Sequence, residues 1–499
     1  MEDPIKPATA APTYEKRALR EQVSDFFRYK PTVPNESIAY DERQRSMRKV
    51  IVAWCMGSIF FNGITGAPLV GMFRELGASV FGIGLLAAIY PFATLAQLLA
   101  SYAIARTGSR KRMFIWGAYP GRLIWIPIVA LAFFLPPGTG TVAALFCLVL
   151  FGRLSDSLSG LAWFSWVSDL VPEEERGNFW GTRQMWGYVF GITTSIALGY
   201  YLGTSPPFHK FVVFFCIVAI FGWLDVFIHR GVTGIRFHVP AARQTLAQMI
   251  WQPLRDTNFR PLVIFTTLFG FSCQLGGGLF QLMLLEEIKL SYFEISLYLA
   301  GLLGGVSMIS SKLWGHLMDN LREGERLVFM ACAVIVALIA LPWSMIGARQ
   351  HLPITVNIAV SGLGWAGYQI ALTGLLIAYS PPGSRATYFA VHAVATGFGN
   401  ALGAVVSGWL AESFAGLEVI WGPFKLTQLR TLYLISGLAR LLCLFLLPII
   451  RKPDSHPIGV YVRRLLSLSP FSWGTYVYVR GKLSGRGPQG QQADVGLIS

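Results

Sequence analysis

The chain has 499 residues, of which 54% are hydrophobic and only 13% charged, and it carries a formal net charge of +15. Soluble domains carry about 25% charged residues, so this composition excludes an ordinary water-soluble fold. Its six cysteines (Cys55, Cys147, Cys216, Cys273, Cys332 and Cys443) all lie in apolar stretches with no metal-ligand spacing, which excludes a disulfide framework and leaves them as small packing residues.

The first 49 residues are polar and contain proline. They lack the short basic region and apolar core of a cleaved signal, so the N-terminus is expected to stay cytoplasmic. Within them, in "YEKRALREQVSDFFRYK", Leu19, Val23, Phe26 and Phe27 recur at helical spacing among basic residues, the pattern of an interfacial helix.

Crossing about 30 Å of hydrocarbon takes roughly 20 mostly apolar residues as helix. Twelve such runs follow: near 50–72, 80–104, 113–135, 141–168, 180–202 and 211–229, then, after a polar segment, near 261–284, 291–314, 327–347, 354–379, 387–411 and 431–449. A short polar gap at Glu286–Lys289 separates the seventh and eighth runs. Glu412–Gln428 is expected as a short external helix or loop. The basic, aromatic tail after residue 450 is broken by Pro470 and is expected to lie along the cytoplasmic leaflet, and its Gly- and Gln-rich end to be disordered. The resulting plan is a tail (1–48), a six-helix bundle (49–230), a cytoplasmic linker (231–260), a second six-helix bundle (261–450) and a C-terminal tail (451–499).

Lys and Arg test the orientation. With the N-terminus inside and twelve spans, 31 fall on the cytoplasmic side, six outside (Arg74, Lys210, Lys289, Arg349, Lys425, Arg430) and four within spans. That asymmetry supports a multi-pass protein of the cell membrane with both termini cytoplasmic. The positive charge is then a topology signal with attraction to anionic lipids, and no nucleic-acid partner is expected.

Two turn motifs recur half a chain apart. Ser101, Ala105, Arg106, Gly108, Arg110 and Lys111 follow the second run; Gly315, Asp319 and Arg322 follow the eighth, offset by 214 residues from Ser101 to Gly315. Pro172 and Arg176 follow the fourth run, and Pro381 and Arg385 follow the tenth, offset by 209. Two motif pairs at nearly one period imply a duplicated six-helix unit, in parallel repeat because six spans return the chain to the same side.

On these residues the chain resembles the major facilitator superfamily, whose loop signature reads Gly-x-x-x-Asp-Arg/Lys-x-Gly-Arg-Lys/Arg and which shares the Pro-x-x-x-Arg turns. The resemblance covers about residues 48–450. Ser101 and Ala105 depart from the signature, whereas the second copy keeps Gly315 and Asp319 but loses the basic run. The resemblance implies an all-α fold of two parallel-repeat bundles. It also implies that Arg106, Gly108, Arg110, Asp169, Pro172, Arg176, Gly315, Asp319 and Arg385 gate the cytoplasmic side, with Asp169–Arg106 or Asp319–Arg385 standing in for the acidic residue replaced by Ala105. Arg side chains at such turns also satisfy helix-end carbonyls while pairing with carboxylates.

A charge at mid-bilayer costs at least about 2.5–3.5 kcal/mol, which makes intramembrane ionisable residues functional candidates. Arg122 lies in the third run and Arg153 and Asp156 in the fourth, three apart and so on one helix face; Asp225 and Arg440 lie in the sixth and twelfth, and Lys312 near the end of the eighth. The resemblance implies that spans one, four, seven and ten line a central cavity. It makes Arg153/Asp156 the cavity pair and Arg122 a structural partner for a neighbouring helix. Asn62 on span one, Gln274 and Gln281 on span seven, and Tyr368 and Gln369 on span ten complete the candidate substrate and coupling set. His392 and Asn400 share a face of span eleven, and Trp163, Trp166 and Trp365 are read first as packing.

No phosphate-binding loop, zinc-protease motif or nucleophile elbow occurs, so no enzymatic activity, cofactor or metal is expected. The expected function is secondary active transport of a small organic solute by alternating access, coupled to protons, by a protein whose partners are the solute and membrane lipids and whose simplest state is a monomer. The alternative is a transporter-like fold acting in assembly or lipid handling without solute transport.

Overall fold

Long apolar helices, interrupted where proline or glycine falls, build almost all of the structure. The computed structural model describes residues 29–107, 110–172, 175–236, 245–321, 323–381, 384–421 and 424–450. The expected interfacial helix before residue 29 and the tail after 450 lie outside the described residues. The helices belong to one compact unit, Met1–Leu447.

In chain order the helices are α1 (Tyr40–Gly63), α2 (Ala67–Glu75), α3 (Val80–Ala93), α4 (Ala96–Thr107), α5 (Arg110–Leu123), α6 (Trp125–Phe134), α7 (Thr139–Leu170), α8 (Arg176–Leu202), α9 (Phe208–Arg230), α10 (Leu246–Arg255), α11 (Phe259–Gly277), α12 (Phe280–Glu286), α13 (Tyr292–Ser296), α14 (Gly304–Asn320), α15 (Gly324–Leu338), α16 (Ala340–Trp343), α17 (His351–Tyr379), α18 (Arg385–Ser413) and α19 (Gln428–Leu444). Among the described residues nine helical stretches are long and apolar enough to cross a membrane, or ten if α1 and α2, bent by 43°, form one broken span. The expected second run is two shorter helices, α3 and α4, with Pro91 just before the break. The expected fifth run lies within α8, which is long but begins with a polar turn. Phe134, Trp116, Tyr200, Leu352 and Phe445 are each at least 75% exposed on these helices, as side chains facing lipid would be.

Three features depart from the expectations. Residues 40–49 were read as part of a tail, yet they are the first turns of α1. The segment after α18, expected as a short helix or loop, is an antiparallel hairpin, β3 (Glu418–Trp421) with β4 (Phe424–Thr427). Between α13 and α14, Leu297–Leu303 winds as a π-helix, a rare arrangement.

The stretch before α1 is tied to the stretch after α9. β1 (Thr32–Val33) pairs in parallel with β2 (Gly234–Ile235), and Lys111, in the first turn of α5, donates its ammonium to the carbonyls of Lys30 at 2.6 Å, Val232 at 2.5 Å and Arg230 at 3.0 Å. A lysine thus does the helix-end capping that the sequence assigned to arginine forks.

The packing runs through small residues. α3 lies against α18, where a Cβ on Gly84 would fall 2.7 Å from the Cα of Gly408 and where Ala88, Ala401 and Ala404 form a small buried cluster. α8 meets α13 where a Cβ on Gly199 would crowd the Tyr292 carbonyl at 2.7 Å. These seams join elements from before and after the central linker.

Candidate substrate and coupling site

Bare helix surfaces position the buried charges. A Cβ on Gly121 of α5 would come within 3.2 Å of the Asp156 carboxyl carbon on α7, and one on Gly57 of α1 within 3.1 Å of that of Asp225 on α9. Both carboxylates therefore sit between closely packed helices, and Arg122 at the end of α5 reaches both. Its Nη1 donates to Asp156 and its Nη2 donates to Asp225 at 3.3 Å, with all three side chains at most 9% exposed. The guanidinium lies 4.4 Å from the ring centre of Phe60 and 4.7 Å from that of Phe61.

His229, one turn after Asp225, completes the cluster. The Trp163 indole N–H donates to His229 Nε2 at 2.8 Å, so that nitrogen carries the lone pair and the proton is on Nδ1. Nδ1 faces the Asp225 carbonyl at 2.8 Å and its carboxylate at 3.3 Å. The imidazole is thereby oriented as a donor to Asp225.

Arg153 and Asp156 were expected to form a pair, and the structure separates them. Asp156 is taken by Arg122, and Arg153 donates through Nη2 to the Ile64 carbonyl at 2.8 Å. Ile64 caps α1 where the chain bends toward α2, so its carbonyl has lost its helical partner, and Arg153 supplies one. Spacing by three put both residues on one face of α7; that face meets α5 at one position and the α1–α2 break at the other.

The cluster lines the first of three cavities that hold the candidate residues. The first, of about 470 Å³, is lined by Arg122, Arg153, Asp156, Asp225 and His229 together with Trp54, Trp163 and Arg183. The second, of about 190 Å³, holds Asn62 and Gln281, and the third, of about 390 Å³, holds Gln274, Tyr368, Gln369, His392 and Asn400. Thr65 borders both the first and the second, and Leu299 both the second and the third. In the third, Tyr368 stacks on Phe329 and Phe269 with ring centres 4.9 and 5.6 Å away, and His392 Nε2 lies 3.1 Å from the Thr266 hydroxyl. In the second, Asn62 donates to the Ser58 carbonyl at 2.7 Å, and Gln281 Oε1 is buried without a donor among the described residues. Arg440 lines the third cavity but spends its guanidinium on Ser436, Val336 and Cys273. Trp166, by contrast, is pure packing, with its N–H on the Thr233 carbonyl at 3.0 Å.

Of the gating residues, Asp169 pairs with Arg110 at 2.7 Å, and Arg110 also donates to the Ser165 carbonyl and hydroxyl at 2.8 and 3.0 Å. The expected partner Arg106, and likewise Arg176 and Asp319, have side chains outside the described residues, as is Gly108 altogether. Pro172 accepts from the Glu175 amide at 3.2 Å in the turn after α7; Gly315 faces open space on α14, and Arg385 is exposed at the start of α18.

Arg183, Trp54 and His229 were missed by the sequence reading, and Asp225 was noted without a role. Arg183 was counted with the cytoplasmic loop charges because it lies three residues into its run. The signal that would have found it is its place two turns inside α8, about 10 Å from the helix start.

The model of the Major Facilitator Superfamily matches residues 50–377 and 313–480. No curated protein matches the sequence. Among solved structures, the chain is similar to the nucleoside transporter NupG (TM-score 0.61, 16% identity, covering 82% of this chain and 99% of that one). It is also similar to a POT family transporter crystallised with a thioalcohol-conjugated peptide (0.63, 12%, 82% and 97%), and to a bacterial homologue of the iron transporter ferroportin in an inward-facing state (0.60, 15%, 81% and 98%). These likenesses are of fold. With the family match over most of its length, the chain belongs to the major facilitator superfamily and is a multi-pass membrane transporter, not an enzyme.

Proposed function

We propose that this protein is a secondary active transporter that moves a small organic solute across the cell membrane by alternating access, coupled to protons. Twelve spans form two six-helix bundles (49–230 and 261–450) joined by a cytoplasmic linker, and both termini are cytoplasmic. The observation that supports this reading is a cavity lined by the buried Arg122–Asp156–Asp225 cluster, beside two further cavities lined by neutral amide and aromatic groups. Asp156 is the candidate proton carrier, because its one strong partner, Arg122, is shared with Asp225. Arg153, Asn62, Gln274, Gln281, Tyr368 and Gln369 are the solute contacts. Rocking takes place about the two small-residue seams, α3 on α18 and α8 on α13.

The state described is closed at the end carrying α2 and α12. There Met72, Phe73, Leu282, Met283 and Ile288 pack in one core, and Arg74 meets Glu286 at 2.6 Å. Among the described residues, a core at the opposite end draws on elements of the first half, among them Ile38, Phe114, Trp166 and Ile235. With the termini inside, this corresponds to a cavity closed outward. Flux of labelled solutes into liposomes across an imposed pH gradient tests the function. Gradient-driven flux that is lost in Asp156→Asn with the fold intact supports it; flux indifferent to the gradient removes the coupling, and no flux for any solute leaves the assembly or lipid-handling reading.

A further inference from the structure

Arg183 stands apart from the other arginines of the cavity. Its guanidinium lies 3.8 Å from the ring centre of Trp54, 4.6 Å from Trp163 and 5.4 Å from Trp180. The residue is 8% exposed, it makes no ion pair among the described residues, and its Nε is buried with no acceptor. The indole N–H of Trp54, in the same box, is also buried without an acceptor. The box is built rather than incidental: a Cβ on Gly187 would overlap the Trp54 indole nitrogen, so only glycine lets that ring lie against α8 beside Arg183.

Charge bookkeeping points the same way. The residues lining this cavity include three arginines (Arg122, Arg153, Arg183) and two aspartates. Both aspartates are committed to Arg122, and Arg153 is committed to a carbonyl. Three arginines against two aspartates leave the lining one positive charge in excess, and Arg183 is the arginine with neither a carboxylate nor a carbonyl on it among the described residues, flanked by aromatic faces that stack on a guanidinium but supply no oxygen to its N–H groups. A buried polar group left without a partner is costly, and a buried cation more so.

We infer that the transported solute is an organic anion, a planar carboxylate carried on an apolar or aromatic body, and that Arg183 with the Trp54 N–H is its charged-head contact. A carboxylate matches the guanidinium fork and also accepts the indole N–H, while the tryptophan faces cover the adjoining apolar atoms. The inference rests on reading this cavity as the solute site, and it names the class of solute.

The test is the thermal stability of the purified full chain in detergent with four probes of one ring: benzoate, phenyl phosphate, benzamide and benzylamine. Ligand bound to the folded state raises Tm. Benzoate is expected to raise Tm and its neutral isostere benzamide and the cation benzylamine are not; phenyl phosphate reports whether the site takes anions in general. In Arg183→Gln the benzoate midpoint rises at least about tenfold, and Arg183→Lys, which keeps the charge and loses the stack, retains part of the effect. Equal shifts with benzoate and benzamide, no shift with benzoate, or an Arg183→Gln response matching the wild type would each overturn the inference. Should Arg183→Gln not fold, the wild-type benzoate and benzamide pair and Arg183→Lys decide it. The result is separable from the transport reading: anion-specific stabilisation without flux of any solute removes transport and keeps the site, whereas flux confined to neutral solutes removes the anion and keeps transport.

Discussion

Asp225 holds one arm of Arg122 and accepts from His229, from a position 4% exposed among helices α1, α5 and α9. Removing one member of a buried charge set leaves its partners uncompensated, at about 3–5 kcal/mol. Asp225→Ala is therefore expected to lower the Tm in detergent sharply, and Asp225→Asn, which still accepts hydrogen bonds, to lower it less. A wild-type Tm in Asp225→Ala would mean that Arg122 is adequately held by Asp156 alone. The sequence exposed the members of this cluster but not its pairing. Asp225, Arg122 and Asp156 lie on three separate helices, so no spacing within one helix reports that they meet, whereas Arg153 and Asp156 share a face and turned out to have different partners. Arg183 was hidden for another reason: a charge near a span end reads as a loop residue until the aromatic groups around it are known.

At the scale of elements, the α3–α18 seam depends on the absence of side chains. A Cβ on Gly408 would meet the Phe81 carbonyl at 3.0 Å and the Gly84 Cα at 3.1 Å, backbone that has no rotamer to give way. Gly408→Leu should force the helices apart, costing at least about 1–3 kcal/mol of stability, and should abolish flux in liposomes. Gly305, with nothing near its Cβ position, offers the contrast: Gly305→Ala should fold and transport as the wild type. Flux surviving in Gly408→Leu would show that this contact is not a pivot. The apolar runs made the helices legible in outline, since length and hydropathy act within one segment. The π-helix at Leu297–Leu303 and the β3–β4 hairpin were not legible, because each answers to neighbours distant in sequence, whereas the breaks near Pro91 and Leu279 fall at a proline and at the Gly276–Gly278 run that the sequence itself displays.

On the alternating access proposed above, the two ends of the cavity are held by unequal means, and that inequality is expected to set which end opens. Arg74 and Glu286 are each about one-third exposed (34% and 38%), so their ion pair contributes at most about 1 kcal/mol. That is too little to hold the fold together, yet it is enough to change the ratio of two conformations about fivefold when the pair forms in only one of them. Arg74→Gln should leave Tm within about a degree or two of the wild type, since the loss is small, while raising the population open on the α2–α12 side. The reporter is Thr65, which is exposed and borders both the first and the second cavity. With Thr65→Cys introduced after the six native cysteines are replaced, a membrane-impermeant maleimide applied to whole cells should label slowly when Arg74 is present and up to about fivefold faster in Arg74→Gln. Fast labelling with Arg74 present would show that the α2–α12 end is not the closed one. An unchanged rate in Arg74→Gln would assign closure to the apolar core of Phe73, Leu282 and Met283 alone, where Leu282→Ala, by opening a cavity in that core, should then accelerate labelling in place of the ion-pair variant.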